Sequence, residues 1–114
     1  MREVPKGIGR DAIVRAVSAA VKPKRIILFG SKARGDDGPD SDTDICVIVD
    51  KVEGSHFKAS ADIHRRLFEE APDAYDVIVF EEERYEDRRL FRSTFEYTIS
   101  QEGVQLYDRP SERE

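Results

Sequence analysis

The stretch DICVIVD, residues 44–50, sets the strongest limit on the fold. Five consecutive apolar residues lie between two acids. The run is too short for an ordinary helix, and a strand alternates its side chains between two faces. Both faces of this strand are therefore apolar and both need cover, as in a central strand. RIILFG (25–30) is a second short apolar run, closed by glycine, and YDVIVFE (75–81) is a third. VQLYD (104–108) adds a short last strand.

The intervening segments read as helices. RDAIVRAVSAAVKP (10–23) repeats Ile13, Val14, Val17, Ala20 and Val21 at helical spacing, and Pro23 stops it. SHFKASADIHRRLFEEA (55–71) is expected to bury the side bearing Phe57, Ala61, His64, Leu67, Phe68 and Ala71, with His64 as a packed core residue. EEERYEDRRLFRSTFEYTISQEG (81–103) reads as a charged turn followed by one helix carrying Leu90, Phe91, Phe95 and Ile99, with Gly103 as its C-cap. The order α-β-β-α-β-α-β predicts an α/β (α+β) fold, a small mixed sheet of about four strands covered by helices. The β-β succession around the loop DDGPDSD (36–42) argues against a purely parallel sheet.

At 114 residues the chain fits a single domain, 1–114, with its core over about 8–107 and a flexible tail at 109–114. A hydrophobic fraction of 39% suffices for a core, and a charged fraction of 38% implies a heavily charged surface. Net charge is -5 with no basic stripe, which speaks against general binding to duplex DNA. No apolar run reaches membrane-spanning length and no signal pattern opens the chain, so a cytoplasmic location with no membrane is expected. Cys46 stands alone within an apolar run and is expected in the core.

Asp42 and Asp44 are two apart at the entrance to the central strand, so both carboxylates point to one face. At roughly 6 Å and an effective dielectric of about 20 they repel by roughly 3 kcal/mol. A hard divalent cation removes that penalty, and magnesium usually binds through one or two carboxylates plus substrate phosphate. Two standard motifs fail. An EF-hand loop from Asp40 needs glycine and glutamate where Ile45 and Lys51 stand, and a P-loop from Gly30 needs lysine and a hydroxyl where Asp36 and Asp37 stand. Gly30-Ser31 follows a strand and opens a helical turn, where backbone N–H groups favour an anion. Lys32 and Arg34 supply positive charge nearby, unless they are ordinary surface cations. A phosphate cradle and an acidic pair ten residues apart point to nucleotidyl or phosphoryl transfer from a metal-bound triphosphate.

Gly30-Ser31, ten residues, then Asp42-Thr43-Asp44 resembles the nucleotidyltransferase superfamily that includes polymerase beta. In a chain this short, GSKARG followed by SDTDICVIVD looks like its minimal nucleotidyltransferase (MNT) branch. The resemblance implies a third carboxylate on a later strand, and Asp76 in YDVIVF matches it. It further implies that Asp42, Asp44 and Asp76 hold two magnesium ions, with Asp76 as ligand or general base. Gly30, Ser31, Lys32 and Arg34 would bind the triphosphate of ATP.

The resemblance also implies a partner. The minimal family is commonly the antitoxin of a two-component system, and transfers AMP to a tyrosine of a small helical HEPN-type toxin. Phe91, Phe95 and Tyr97 are the candidate docking face, and homo- or hetero-oligomers are compatible with this reading. Two alternatives stay open: a non-catalytic antitoxin that neutralises by binding, and a small-molecule nucleotidyltransferase acting on an antibiotic. Arg88, Arg89 and Arg92 read as a solvated face and His56 as solvated.

Overall fold

The computed structural model describes residues 3–110. It contains α1 (Arg10–Ala20), β1 (Pro23–Phe29), α2 (Gly30–Arg34), β2 (Thr43–Val49), α3 (His56–Glu70), β3 (Tyr75–Glu81), α4 (Glu82–Arg88), α5 (Phe95–Glu102) and β4 (Val104–Asp108). The four strands form one sheet in the order β3-β2-β1-β4. β1 runs antiparallel to β2 and β4, whereas β2 and β3 are parallel. The sheet is therefore mixed, as the β-β succession requires.

Strand alternation divides the core in two. Ile26 and Leu28 of β1 and Ile45, Val47 and Val49 of β2 pack with Ile13 and Val17 of α1 and Ile63 and Leu67 of α3. Ile27, Phe29, Cys46 and Ile48 face the other way, against Tyr85 of α4 and Ile99 of α5. Each face thus carries its own pair of helices, which is why 26–29 of β1 and 45–49 of β2 are apolar on both faces. Cys46 is fully buried, and burial pushes its thiol up to about 12. Arg25 lies over the Tyr85 ring, 5.3 Å from its centroid, and pairs with Glu86, tying α4 to the sheet.

Two helices differ from the sequence expectation. α3 buries Ala59, Ile63 and Leu67; of the expected side, Leu67 is buried and Ala71 packs against the core, but the rest is not. Phe57 and Phe68 are 84% and 75% exposed, and Ala61 and His64 are exposed with them. His64 is therefore not a core residue. Both stripes satisfy helical spacing, and the narrower aliphatic one fits against α1 and the sheet. The segment expected as a charged turn is the helix α4, and the single helix expected after it is shortened to α5, with a turn at 89–94 between them. Thr94 Oγ1 accepts from Tyr97 N–H (3.1 Å) as the N-cap of α5 and lies 2.7 Å from the Arg88 carbonyl. That hydroxyl satisfies both helix ends, so the chain breaks there. Leu90 and Phe91 consequently fall in the turn and are exposed.

Gly103 follows α5 as expected, but in extended geometry, with φ -68° and ψ 149°. Its role is space: a Cβ there would lie 2.4 Å from Ile27 Cγ2 and 2.6 Å from the Ile99 carbonyl. At the start of the expected tail, Arg109 N–H donates to the Lys24 carbonyl at 2.8 Å. Residues 111–114 of that tail lie outside the described residues.

Candidate active site

β1 turns into α2 at Gly30, whose φ is +76°. Only glycine adopts that angle without cost. The space over its Cα is also filled, since a Cβ would lie 2.0 Å from Asp44 Oδ2 and 2.9 Å from Asp44 Cγ. The turn therefore rests against the Asp44 carboxylate. α2 ends at Gly35, whose φ of +86° reverses the chain, and Gly35 N–H and Asp36 N–H both donate to the Ser31 carbonyl. Ser31 is half-buried beside this turn.

The acids meet through strand register. Asp44 pairs with Phe29 across the β1–β2 ladder and with Asp76 across the β2–β3 ladder. Register partners share a face, so Asp44 and Asp76 lie on the side covered by α4 and α5. Asp42 immediately precedes β2 and is exposed, as is Asp76, whereas Asp44 is half-buried. Burial, then the charges of Asp76 and Asp42, hold the Asp44 carboxyl above its usual range; Glu102 adds to this and Arg34 opposes it.

The two cations go different ways. Arg34 stays with the acids: its Nη1 donates to Glu102 Oε1 at 3.1 Å, and its Nε donates to Asp36 Oδ2 at 3.1 Å. Those two carboxylates, Asp36 first, hold its guanidinium above its ordinary pKa. Lys32 instead donates from Nζ to Thr43 Oγ1 at 3.0 Å and lies 3.6 Å from Asp73 Oδ2. Thr43 alternates with Asp44 and points to the opposite face, and Lys32 follows it. The structure thus gathers Gly30, Ser31, Arg34, Asp44 and Asp76, sets Asp42 at the rim, and draws Lys32 aside.

Glu102 and Asp73 carry no sequence signal of a place beside this turn, and Thr43 is marked only as the residue between Asp42 and Asp44. Glu102 is the last residue of α5, and its Oε2 accepts from Gly30 N–H at 2.8 Å. A glutamate before a helix-ending glycine gives no sequence signal of a contact 72 residues away.

Among the described residues no group of three or more His, Cys, Asp or Glu side chains converges on a metal position. The donor chemistry nevertheless suits a hard cation: Asp44 is partly desolvated and crowded by two other carboxylates, a repulsion that a divalent ion relieves. A cleft of about 730 Å³ lies elsewhere, at the far end of β2, lined by Ala20, Val49, Lys51, Gly54, Lys58 and Ala59. It shares no residue with the acidic group.

The profile of the nucleotidyltransferase domain family matches residues 10–102. The chain belongs to that family. No curated protein matches it. Among solved structures, this nucleotidyltransferase domain resembles a chain of a toxin–antitoxin crystallised with AMP-PNP. Identity is 20%, with a TM-score of 0.65 over 90% of this chain and 75% of that one. A putative nucleotidyltransferase from Sulfolobus solfataricus is 24% identical, with a TM-score of 0.58 over 91% of this chain and 93% of that one. A chain from a complex of tri-AMPylated Shewanella oneidensis HEPN toxin with its MNT antitoxin is 18% identical. There the TM-score is 0.56 over 88% of this chain and 70% of that one. The mixed sheet with helices on both faces is thus a nucleotidyltransferase-like fold. No helix among the described residues of the nucleotidyltransferase domain is long and apolar enough to cross a membrane.

Proposed function

We propose that this nucleotidyltransferase, as one minimal domain over 1–114, transfers AMP from Mg-ATP to a hydroxyl, a tyrosine, of a HEPN-type helical toxin, and so acts as its antitoxin. The observation that carries this reading is the Asp44–Asp76 register pair, with Asp44 lying against the Gly30 turn. Two of the similar folds come from toxin–antitoxin complexes, one with AMP-PNP and one with a tri-AMPylated toxin.

Asp42, Asp44 and Asp76 would hold the divalent ions. Bound magnesium supplies charge neutralisation for the triphosphate and a lower pKa for the attacking hydroxyl. Asp76, which is exposed, would take the proton of that hydroxyl as its oxygen bonds the α-phosphorus of ATP and the bond to pyrophosphate, the leaving group, breaks. The Gly30 turn and the Ser31 hydroxyl orient the β- and γ-phosphates, and Arg34 balances their charge. Lys32 reaches the same phosphates only after leaving Thr43 and Asp73, a change of side-chain rotamer.

The partner docks on the α4–α5 turn. Leu90, Phe91 and Phe95 are 68%, 62% and 48% exposed. The Phe95 ring packs edge-on against Phe29, centroids 5.5 Å apart, and Phe29 is the register partner of Asp44. A partner seated there presents its hydroxyl close to the acids.

The test is a reaction of the purified chain with labelled ATP and magnesium, with and without a co-expressed HEPN protein. Label on the partner, lost in Asp44→Asn, is the expected result. A tight complex without transfer, unaffected by Asp44→Asn, would establish a non-catalytic antitoxin. Label on an added aminoglycoside would establish the small-molecule activity.

A further inference from the structure

We propose that Glu102 is a positioning residue, one that fixes Arg34 and the Gly30 turn in the arrangement that receives the triphosphate. The proposal rests on the function proposed above. Three contacts support it. Gly30 N–H donates to Glu102 Oε2 at 2.8 Å, and Arg34 Nη1 donates to both Glu102 oxygens, at 3.1 and 3.2 Å. One carboxylate therefore links the start of α2 to its last residue.

Glu102 is itself held firmly. Its side chain is 17% exposed, whereas that of Arg34 is 46% exposed. The next residue, Gly103, is pressed so closely on β1 that a Cβ would meet Ile27 Cγ2 at 2.4 Å. The backbone at 102 thus has little freedom to shift. Arg34, by contrast, is a long, half-exposed side chain with several rotatable bonds, and untethered it samples many rotamers. Tethering it beside Asp44 before ligand arrives removes that ordering cost from the binding step. Asp36 grips Arg34 from the exposed side, but that carboxylate lies in the loop, whereas Glu102 stands on a packed helix.

Glu102 acts through Arg34 and does not touch the reacting atoms. That separates it from Asp44 and gives a test based on coupling. Mant-ATP binding with magnesium is titrated for the wild type, Arg34→Ala, Glu102→Gln and the double variant. Glutamine keeps an acceptor for Gly30 N–H and loses the charge that holds Arg34. Each single variant is expected to weaken binding by about tenfold, the scale of a lost charge-assisted contact. The double variant is expected to be no weaker than Arg34→Ala alone, and Glu102→Asp to recover part of the loss. Melting temperatures taken alongside show that each variant is folded.

Multiplicative losses, about 100-fold in the double variant, would overturn the proposal by showing that the two residues act independently. Tighter binding in Glu102→Gln would also overturn it, because the carboxylate would then be competing with the phosphates. A wild-type protein that binds no mant-ATP would overturn both this inference and the nucleotidyl-transfer reading. Binding that is lost in Asp44→Asn but unchanged in Glu102→Gln removes this inference alone.

Discussion

Replacing Gly30 with alanine tests the contact on which the site is built. The substitution imposes two separate costs. An alanine held at φ +76° is strained by about 1–2 kcal/mol. The new methyl also sits 2.0 Å from Asp44 Oδ2, so the carboxylate must retreat by about 1 Å or more. Asp44 is bounded by Phe29 and Asp76 as register partners, and turning it off its rotamer costs about 1 kcal/mol. The sum is about 2–3 kcal/mol, or a fall in Tm of about 8–12 °C at about 4 °C per kcal/mol for a domain this size. The two costs separate in a double-mutant cycle. In an Asp44→Ala background the nearest oxygen is gone, so Gly30→Ala then costs only the backbone strain, about 1–2 kcal/mol. Chemical denaturation of the four proteins, read by far-UV circular dichroism, gives the coupling directly. Equal cost in both backgrounds would refute the reasoning, because it would mean that the Gly30 turn does not rest on Asp44.

Asp44→Asn gives a pH signature. The Asp44 carboxyl holds its proton above the ordinary range in the fold, so the folded state binds more protons than the unfolded chain as pH rises through that range. Wild-type stability therefore falls on going upward from the ordinary carboxylate pKa. The advantage of Asp44→Asn is absent below it, grows through the folded pKa and is constant above, as thermal melts at stepped pH will show. Arg88→Ala weakens the hold on the carboxylate of Glu96, which is 3% exposed and, among the described residues, has Arg84 as its other ion-pair partner at 4.0 Å. Because Arg88 is itself 44% exposed, the expected loss is about 1–2 kcal/mol, against about 0.5 kcal/mol for Arg84→Ala, by urea denaturation. On α3, Leu67→Ala is expected to cost about 2–4 kcal/mol and Phe68→Ser no more than about 0.5 kcal/mol, which reverses their order of hydrophobicity. A larger loss from Phe68→Ser would restore the aromatic face as the buried one.

The strands were legible because their signal is short and local. YDVIVFE and VQLYD coincide with β3 and β4, and the two doubly apolar runs became the two inner strands. A strand with polar residues on neither face has nowhere to go but between two layers. α1, α3 and α5 were legible as helices, whereas the charged segment that forms α4 read as a turn, and the buried side of α3 was not legible. α3 carries Ala59-Ile63-Leu67 and Phe57-Ala61-His64-Phe68 at equally good spacing. The bulk of Phe57 and Phe68 favours the aromatic stripe, and only the presence of α1 and the sheet selects the aliphatic one. The break at Thr94 was written as a capping hydroxyl before an apolar run, but the neighbouring Leu90, Phe91 and Phe95 masked it by continuing a helical pattern.

By itself the sequence determined the chemistry available to this protein: a glycine-serine turn, an acidic pair at fixed spacing, and a third acid opening a later strand. These are local, because each is set by side-chain type and by the two- or four-residue periods of the backbone. The tertiary structure alone decided which groups meet. Parallel pairing of β2 with β3 puts Asp76 beside Asp44, and the close approach of Gly103 to β1 brings Glu102 to Gly30 and Arg34. The same packing decided that Lys32 turns to Thr43 and Asp73. Such contacts join residues far apart in the chain, and their partners are selected by burial and register, which no local pattern encodes.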